Sequence, residues 1–352
     1  MIVYIILLVL VIVAFFVCNH KYYKFVIGIL ALLALLRNKT VGADVSLYCA
    51  NIAGTSFNPR SWNFYSEFED GYNLLIACYN FLFSNPLFFV GLSTFCFIIS
   101  WNQYNIKKSD SRYLGLILFY MLGYYMQSFN IIRQYFALGL LIPFLLKYDM
   151  ESSNVRNNII EIAIIVFIGT FFHNSIYILL LIPLYNLLKL DTIFTKKIYF
   201  SLCILTMFVF SAGIIRSYLG DFSSIYFLND KANAYYQSSL SGSIDESEYS
   251  NMRFIFDNIF LLFLIKKTKS FNIYAFLYIM AQLFINLFAP LNVLFVRIAS
   301  VLSLLGLPYI SKIWFESNKT THFVISIYAS IIFVNLLIKN YGFFEPYLFF
   351  FE

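Results

Sequence analysis

Long hydrophobic runs follow one another along the chain and are separated by short polar links. The runs are longer than ordinary strands and show no alternation of apolar and polar residues, so they predict helices. We predict an all-α membrane protein with about 12 transmembrane helices, because each run approaches the length that crosses a bilayer. These helices are expected at about residues 1–18, 25–36, 86–101, 112–129, 131–147, 158–172, 175–189, 198–215, 253–265, 271–288, 292–311 and 321–338.

One further apolar segment, Tyr72 to Phe83, is too short to span a bilayer and is followed by Ser84-Asn85-Pro86. We predict a helix that dips into the membrane from the outer face or lies at the interface. With this topology the basic residues gather on one side, which the positive-inside rule makes cytoplasmic. They are Lys21, Lys24, Lys107, Lys108, Arg112, Lys147, Arg156, Lys189, Lys196, Lys197, Lys266, Lys267, Lys269, Lys312 and Lys319.

The same topology puts both termini and two long loops, 37–71 and 216–252, on the outer side. We therefore predict one transmembrane domain, residues 1–352, with these two loops covering a site at the outer face. The second loop is rich in Tyr, Ser, Asn and Asp. Such a composition is typical of glycan-binding surfaces and also of ordinary solvated loops, so both interpretations stay open.

The composition excludes a soluble globular class, because 61% of the 352 residues are hydrophobic and only 12% are charged. The first run, Met1 to Val17, has neither a basic leader nor a small-residue cleavage site, which predicts a retained helix rather than a signal peptide. The net charge of +6 is spread over helix ends and indicates topology, not nucleic-acid binding. No Gly-rich phosphate loop and no metal-ligand spacing occur, so we expect no nucleotide, metal or cofactor.

An arginine near the rim of the bilayer is the first candidate for chemistry. In the stretch Ser128 to Leu146, Arg133 and Gln134 stand at the head of an apolar helix, directly after another apolar run has ended. A cation there usually marks a site that handles negative charge. The alternative is an arginine that snorkels or sets the topology.

Two further arginines extend this prediction. Arg297 lies one or two turns inside the outer end of its helix, deeper than snorkelling favours, so it is expected to face a polar cavity or a carboxylate. Arg37 begins the first outer loop. Because arginine binds diphosphate oxygens through a bidentate fork, Arg133 and Arg297, joined by Arg37, suit a lipid diphosphate.

Two carboxylates and one histidine are candidates for proton transfer. Asp44 and Glu69 lie in the first outer loop, and either could take a proton from a hydroxyl. The alternative is that Asp44 caps a short helix and Glu69 caps the dip helix. His173 stands in the turn between two helices, where it suits acid–base work, donation to a phosphate, or a plain hydrogen-bonded turn.

Five short motifs occur in the order Gly42-Ala43-Asp44 with Tyr48, Glu69-Asp70-Gly71-Tyr72, Asn130-Ile131-Ile132-Arg133-Gln134-Tyr135-Phe136-Ala137, Phe172-His173-Asn174-Ser175, and Arg297 before Leu307-Pro308. Together they resemble the EpsG-like branch of the bacterial O-antigen and exopolysaccharide polymerases, the Wzy type. The resemblance covers nearly the whole chain. Its most specific parts are Arg-Gln followed by alanine and the histidine with serine two residues on.

The resemblance implies an inverting glycosyltransferase with a GT-C-like membrane-embedded architecture. It implies transfer of a growing glycan from undecaprenyl diphosphate to the non-reducing end of a lipid-linked repeat unit, at the periplasmic face of the bacterial inner membrane. A chain-length regulator is implied only as a pathway partner. No nucleic acid is expected among the partners.

The reaction assigns a role to each candidate. Arg133, Arg297 and Arg37 would bind the departing diphosphate; Asp44 or Glu69 would be the general base; His173 would share that role or donate to phosphate. The resemblance adds three substrate-binding residues, Tyr48, Gln134 and Asn130.

Three other functions use similar features. A lipid-linked oligosaccharide flippase would also have about 12 helices and cavity arginines, but transporters concentrate charge near the bilayer midplane. An O-antigen ligase differs only in its acceptor, which the sequence does not measure. A membrane O-acyltransferase would use a histidine but needs a second polar cluster on the cytoplasmic side, which the chain lacks.

Overall fold

The computed structural model of the protein describes residues 1–55, 57–58, 63–64, 68–147, 155–193, 195–211, 251–289, 293–340 and 346–349. Most of the described residues are helical, which confirms the all-α prediction in its general form. The described strands are two residues long each, β1 (Phe57–Asn58) and β2 (Asn63–Phe64), and they pair antiparallel. The predicted outer loop at 216–252 lies outside the described residues, apart from its last two.

The chain divides into two compact units. The first comprises Met1–Pro183 and Trp314–Glu352, and the second comprises Leu184–Ile313. The helices are α1 Ile2–Val17, α2 His20–Leu35, α3 Val45–Gly54, α4 Asp70–Leu82, α5 Pro86–Lys108, α6 Arg112–Met121, α7 Tyr124–Gln127, α8 Ile132–Leu145, α9 Val155–Thr170, a 3₁₀ segment Asn174–Leu180, α10 Leu181–Leu187, α11 Leu190–Ile193, α12 Lys196–Ser211, α13 Asn251–Lys267, α14 Ile273–Phe288, α15 Val293–Leu305, α16 Leu307–Glu316 and α17 Lys319–Lys339.

Asparagine caps set the starts of several helices. The Asn19 side chain accepts from the backbone N–H groups of Lys21 and Tyr22 at the start of α2. Asn85 caps α5 in the same way, and Pro86 occupies the first turn, where its missing N–H costs nothing. These caps end the preceding links sharply and let apolar helices follow one another closely along the chain.

In the first unit, glycines let α2 and α8 pack closely against α5. A Cβ at Gly91 of α5 would lie 2.3 Å from the Leu35 carbonyl oxygen of α2. A Cβ at Gly139 of α8 would lie 3.0 Å from the Phe97 Cα of α5. Small residues at such crossings allow backbone-to-backbone packing, which drives helix association in membranes. The position of α8, and therefore of Arg133, is fixed by this packing.

A buried polar network joins helices of the second unit. The side-chain amides of Asn258 on α13 and Asn286 on α14 bond to each other in both directions, at 3.0 and 2.7 Å. Asn286 also donates to the Thr206 hydroxyl of α12 at 3.1 Å. Polar groups that satisfy one another across helices hold a membrane bundle together.

Two predicted continuous helices are broken in the structure. The segment expected at 112–129 ends as α6 at Met121 and resumes as α7 after Gly123, which has φ +86. The segment expected at 292–311 bends by 45° at Gly306. In both cases glycine supplies a break that hydrophobicity alone does not reveal.

The described helices include two that are long and apolar enough to cross a membrane, Pro86–Lys108 and Lys319–Lys339. The bent pair Phe295–Leu305 and Leu307–Glu316 would make a third. Seven shorter helices of 10–17 residues in the described part are also apolar. These helices are those of a membrane protein, whereas the count of about 12 spans stays a prediction.

Candidate functional site

Arg133 and Glu69 form the centre of a polar cluster in the first unit. Arg133 lies in the first turn of α8, and Glu69 immediately precedes α4. The guanidinium Nη1 donates to Glu69 Oε2 at 2.5 Å, and Nε donates to the Tyr48 hydroxyl at 3.3 Å. The two charged side chains remain 21% and 15% exposed. Part of the ion pair is therefore accessible to solvent.

Aromatic rings hold the same guanidinium from another side. Its Cζ lies 4.4 Å from the ring centroid of Phe68 and 5.7 Å from that of Tyr48. These two rings stack on each other, with centroids 5.5 Å apart. Cation–π contact and the Glu69 bond together restrict the rotation of the Arg133 side chain. Among the described residues, Nη2 of Arg133 has no hydrogen-bond partner. Its two N–H groups therefore remain available to donate to a ligand.

The turn that carries His173 is joined to the start of α4. Gly71 N–H donates to the Phe171 carbonyl at 2.9 Å. Asn174 N–H donates to Glu69 Oε1 at 3.4 Å, a long bond. A Cβ at Gly71 would lie 2.7 Å from the Phe171 carbonyl oxygen, so only glycine permits this approach. Glu69 therefore contacts both Arg133 and the His173 turn.

His173 itself is bonded through one ring nitrogen. Its Nδ1 lies 3.1 Å from the Ser175 backbone nitrogen and 2.8 Å from the Ser175 hydroxyl. Burial lowers the pKa of His173 from 6.5 to about 4; the Glu69 carboxylate opposes this shift, and Arg133 adds to it. The imidazole is therefore neutral at physiological pH.

Neither predicted carboxylate caps its helix through its side chain. Asp44 occupies the position before α3 and Glu69 the position before α4, but both helices lack a side-chain cap bond there. The Glu69 carboxylate is directed to Arg133 instead. Asp44 lies one helical turn from Tyr48, since the Tyr48 N–H donates to the Asp44 carbonyl at 2.9 Å.

Asn130 links the first outer loop to the start of α8. Its Oδ1 accepts from the Ala43 N–H at 2.8 Å. Gly42 has φ +112, and a Cβ there would lie 2.9 Å from Asn130 Oδ1. This contact places Asp44 beside the turn that leads to Arg133. The role of Asn130 as a substrate-binding residue stays a prediction.

Arg37 lies apart from the Glu69 contact. Its side chain is fully buried, and it donates to the Ala34 carbonyl at 2.6 Å and to the Thr94 hydroxyl at 3.0 Å. Its Cζ is 4.7 Å from the Phe129 ring centroid. In the described part of the chain it has no carboxylate partner. The structure therefore does not bring Arg37 to the cluster around Arg133.

For two predicted site residues, Gln134 and Arg297, the structure shows burial or a backbone contact. Gln134 is buried, with 2% of its surface exposed. Arg297 lies on α15 in the second unit, where the Ser300 hydroxyl donates to its carbonyl oxygen at 2.6 Å. Their roles in binding diphosphate and substrate stay predictions from the sequence.

Phe68 and Ser175 were not among the predicted site residues. Both adjoin one: Phe68 directly precedes Glu69, and Ser175 follows His173 by two positions. The sequence could have indicated Ser175, because a serine two residues after a polar turn residue often bonds within the turn. It could not have indicated Phe68, because the contact of Phe68 with Arg133 depends on long-range packing. No group of three His, Cys, Asp or Glu with metal-binding geometry occurs within the described ranges.

Comparison with known proteins gives one family. The sequence model of the EpsG family matches residues 20–349. Neither a curated protein nor a solved structure matches the chain significantly. The match includes Asp44, Glu69, Arg133, His173 and Arg297. Because it covers nearly the whole length of the sequence, this chain belongs to the EpsG family.

Proposed function

We propose that this protein polymerises lipid-linked repeat units of a bacterial polysaccharide. In the proposed reaction it transfers the growing glycan from undecaprenyl diphosphate to the non-reducing end of a new lipid-linked repeat unit, with inversion. Membership of the EpsG family supports a polysaccharide-polymerase function of the glycosyltransferase type in general. The carrier lipid, the direction of growth and the stereochemistry are parts of the proposal.

The observation that carries the proposal is the arrangement around Arg133. A guanidinium that is oriented by Glu69, Tyr48 and Phe68 keeps both N–H groups of Nη2 available, as a diphosphate ligand requires. Arginine retains its charge and matches two phosphate oxygens through its planar fork. Because the cluster is partly exposed and adjoins apolar helices, a lipid-linked anion suits it better than a free nucleotide.

The proposed chemistry needs no external activation. The bond between the anomeric carbon and the diphosphate oxygen breaks, and a bond from that carbon to the acceptor oxygen forms. The acceptor proton passes to Asp44 or Glu69, and undecaprenyl diphosphate leaves as an anion. Arg133 stabilises the negative charge that develops on the leaving oxygen, which is the most effective use of a fixed cation.

The proposed architecture and location follow the predicted topology. About 12 spans and a GT-C-like arrangement would place loops 37–71 and 216–252 at the periplasmic face of the inner membrane. The head of α8 and the start of α4 would then lie near the outer rim of the bilayer. A chain-length regulator would act as partner without contributing to the chemistry.

The test is the surface glycan profile, by gel, of a strain that lacks this gene and of the complemented strain. We expect lipid A–core with a single repeat unit in the deletion and a restored ladder on complementation. Bare core would instead indicate a flippase or ligase, because export or attachment would then be missing. An intact ladder in the deletion would contradict the proposal.

A further inference from the structure

The contacts of Ser175 determine which nitrogen of His173 carries the proton. The backbone nitrogen of Ser175 lies 3.1 Å from Nδ1, and an amide nitrogen can only donate. Nδ1 must therefore present its lone pair. The Ser175 hydroxyl, 2.8 Å from the same atom, then also donates to it. Two donors from one residue hold Nδ1 unprotonated.

The other ring nitrogen consequently carries the hydrogen. A neutral imidazole has one donor and one acceptor nitrogen, so with Nδ1 accepting, Nε2 must bear the N–H. The described part of the chain provides no hydrogen-bond partner for Nε2. His173 is thus a neutral group with one directed donor, and its Nε2 has no lone pair with which to take a proton.

We infer that Ser175 is a positioning residue that makes His173 a hydrogen-bond donor to the diphosphate of the lipid-linked substrate, and not a general base. The inference rests on the proposed function and goes beyond it, because it decides the role of His173 and assigns one to Ser175. Glu69 contacts Arg133 and the backbone N–H of Asn174, so one carboxylate joins the cation to the turn that carries His173. A cation and a neutral donor together can bind an oxyanion without a second positive side chain in the site.

The first experiment measures the tautomer and does not depend on the reaction. The chain has 3 histidines, so histidine labelled with ¹³C and ¹⁵N gives few ring signals in lipid-embedded full-length protein. Signals absent from His173→Gln belong to His173. We expect an Nε2–H ring at neutral pH. An Nδ1–H ring or an imidazolium would overturn the inference whatever the protein polymerises.

Ser175 variants test the cause of the tautomer in the same spectra. Ser175→Ala removes the hydroxyl donor but keeps the backbone N–H, so we expect the tautomer equilibrium to shift towards Nδ1–H by about fivefold, the worth of one hydrogen bond. Ser175→Thr keeps the hydroxyl and should restore the wild-type spectrum. Ser303→Ala, which removes a hydroxyl that donates to the Ser300 carbonyl, is the control. Equal spectra for wild type and Ser175→Ala would overturn the positioning role of the Ser175 side chain, because the backbone N–H, which this variant keeps, would then hold the tautomer alone.

The second experiment measures polymerisation with three His173 variants. A glutamine amide nitrogen reaches the position of Nε2, whereas an asparagine amide reaches only that of Nδ1. We expect His173→Ala and His173→Asn to lose about 10²-fold or more in rate, the effect of removing one oxyanion donor, and His173→Gln to stay within about tenfold of wild type. A general base would make glutamine as inactive as alanine, because an amide takes no proton, and that result would overturn the inference.

The pH profile separates a neutral hydrogen-bond donor from a titrating general base. The charged groups that act on the imidazole are Glu69, which precedes α4, and Arg133 on α8. Because the lowered pKa keeps the ring neutral, the ratio of wild-type to His173→Gln rates should stay constant from about pH 5.5 to 8. A ratio that falls with decreasing pH would indicate a titrating base. Failure of the polymerase proposal would instead abolish the assay and leave the tautomer measurement unaffected.

Discussion

Arg133 and Arg37 follow apolar helices in similar contexts, yet the structure places them in opposite environments. Arg133 is 21% exposed, pairs with a carboxylate and keeps Nη2 available. Arg37 is fully buried and donates to two neutral oxygens, those of Ala34 and Thr94. A guanidinium binds substrate only if part of its fork remains accessible. The comparison therefore separates a cation suited to a ligand from one that joins the end of α2 to α5.

Removal of the general base, either Glu69 or Asp44, gives the largest expected effect. Glu69→Gln and Asp44→Asn each keep the shape of the side chain but cannot accept a proton. We expect the variant in which the general base is replaced to lose about 10²- to 10⁴-fold in polymerisation rate. The variant of the carboxylate that is not the base should lose about tenfold. Polymer synthesis by purified protein at matched amounts would measure both. Two equally mild losses would exclude both carboxylates as the base.

The arginine of the cluster gives the next largest effect. Arg133→Ala removes the cation from the leaving group, so we expect a loss of about 10²- to 10³-fold in rate, or about 2.7–4 kcal/mol, at normal insertion. Arg133→Lys keeps the charge but loses the fork, and it should recover only part of the rate. The measurement is polymer length and amount per inserted molecule.

Arg112→Ala is the matched control for Arg133→Ala. Arg112 also begins a helix and is bonded by its guanidinium, at 2.9 Å to His20 Nδ1, but it belongs to the predicted cytoplasmic rim. We expect wild-type polymer from this variant. A similar defect in both variants would indicate that any lost guanidinium disturbs insertion, and Arg133 would lose its assigned role.

Arg37 should affect stability rather than rate. Arg37→Ala removes two hydrogen bonds and a packed side-chain stem, so we expect the protein to be less stable by about 2–4 kcal/mol. Thr94→Val removes one of the two bonds and should cost about 1 kcal/mol. Thermal unfolding in detergent measures both. A normal unfolding temperature with lost polymerisation would show instead that Arg37 acts in the reaction.

The Tyr48 hydroxyl gives the smallest effect. Tyr48→Phe keeps the ring beside the Arg133 guanidinium but removes the oxygen that accepts from Nε at 3.3 Å. The loss of one long hydrogen bond should reduce the rate by about 2- to 10-fold. Phe136→Leu changes the hydrophobic cluster against which Tyr48 packs but removes no polar atom, so this comparison variant should retain a rate close to wild type. Full inactivity of Tyr48→Phe would indicate that the hydroxyl contacts substrate.

The sequence alone determined the class of the protein and supplied the candidate residues for its chemistry. The long apolar runs predicted an all-helical membrane protein, because hydrophobicity and helix length are local properties of the chain. Polar residues at the ends of these runs identified Glu69, Arg133 and His173 as candidates, since charge is costly near a bilayer.

Only the tertiary structure decided which of these residues contact one another and which are buried. Glu69 and Arg133 are 64 positions apart, and whether they pair depends on the packing of α4 and α8 against α5. Likewise, Arg37 and Arg133 looked equivalent until burial separated them, and Gly123 and Gly306 interrupted helices that hydrophobicity predicted as continuous. The physical reason is that hydropathy and helix propensity act over a few residues, whereas the donors left available to a ligand depend on contacts between distant segments.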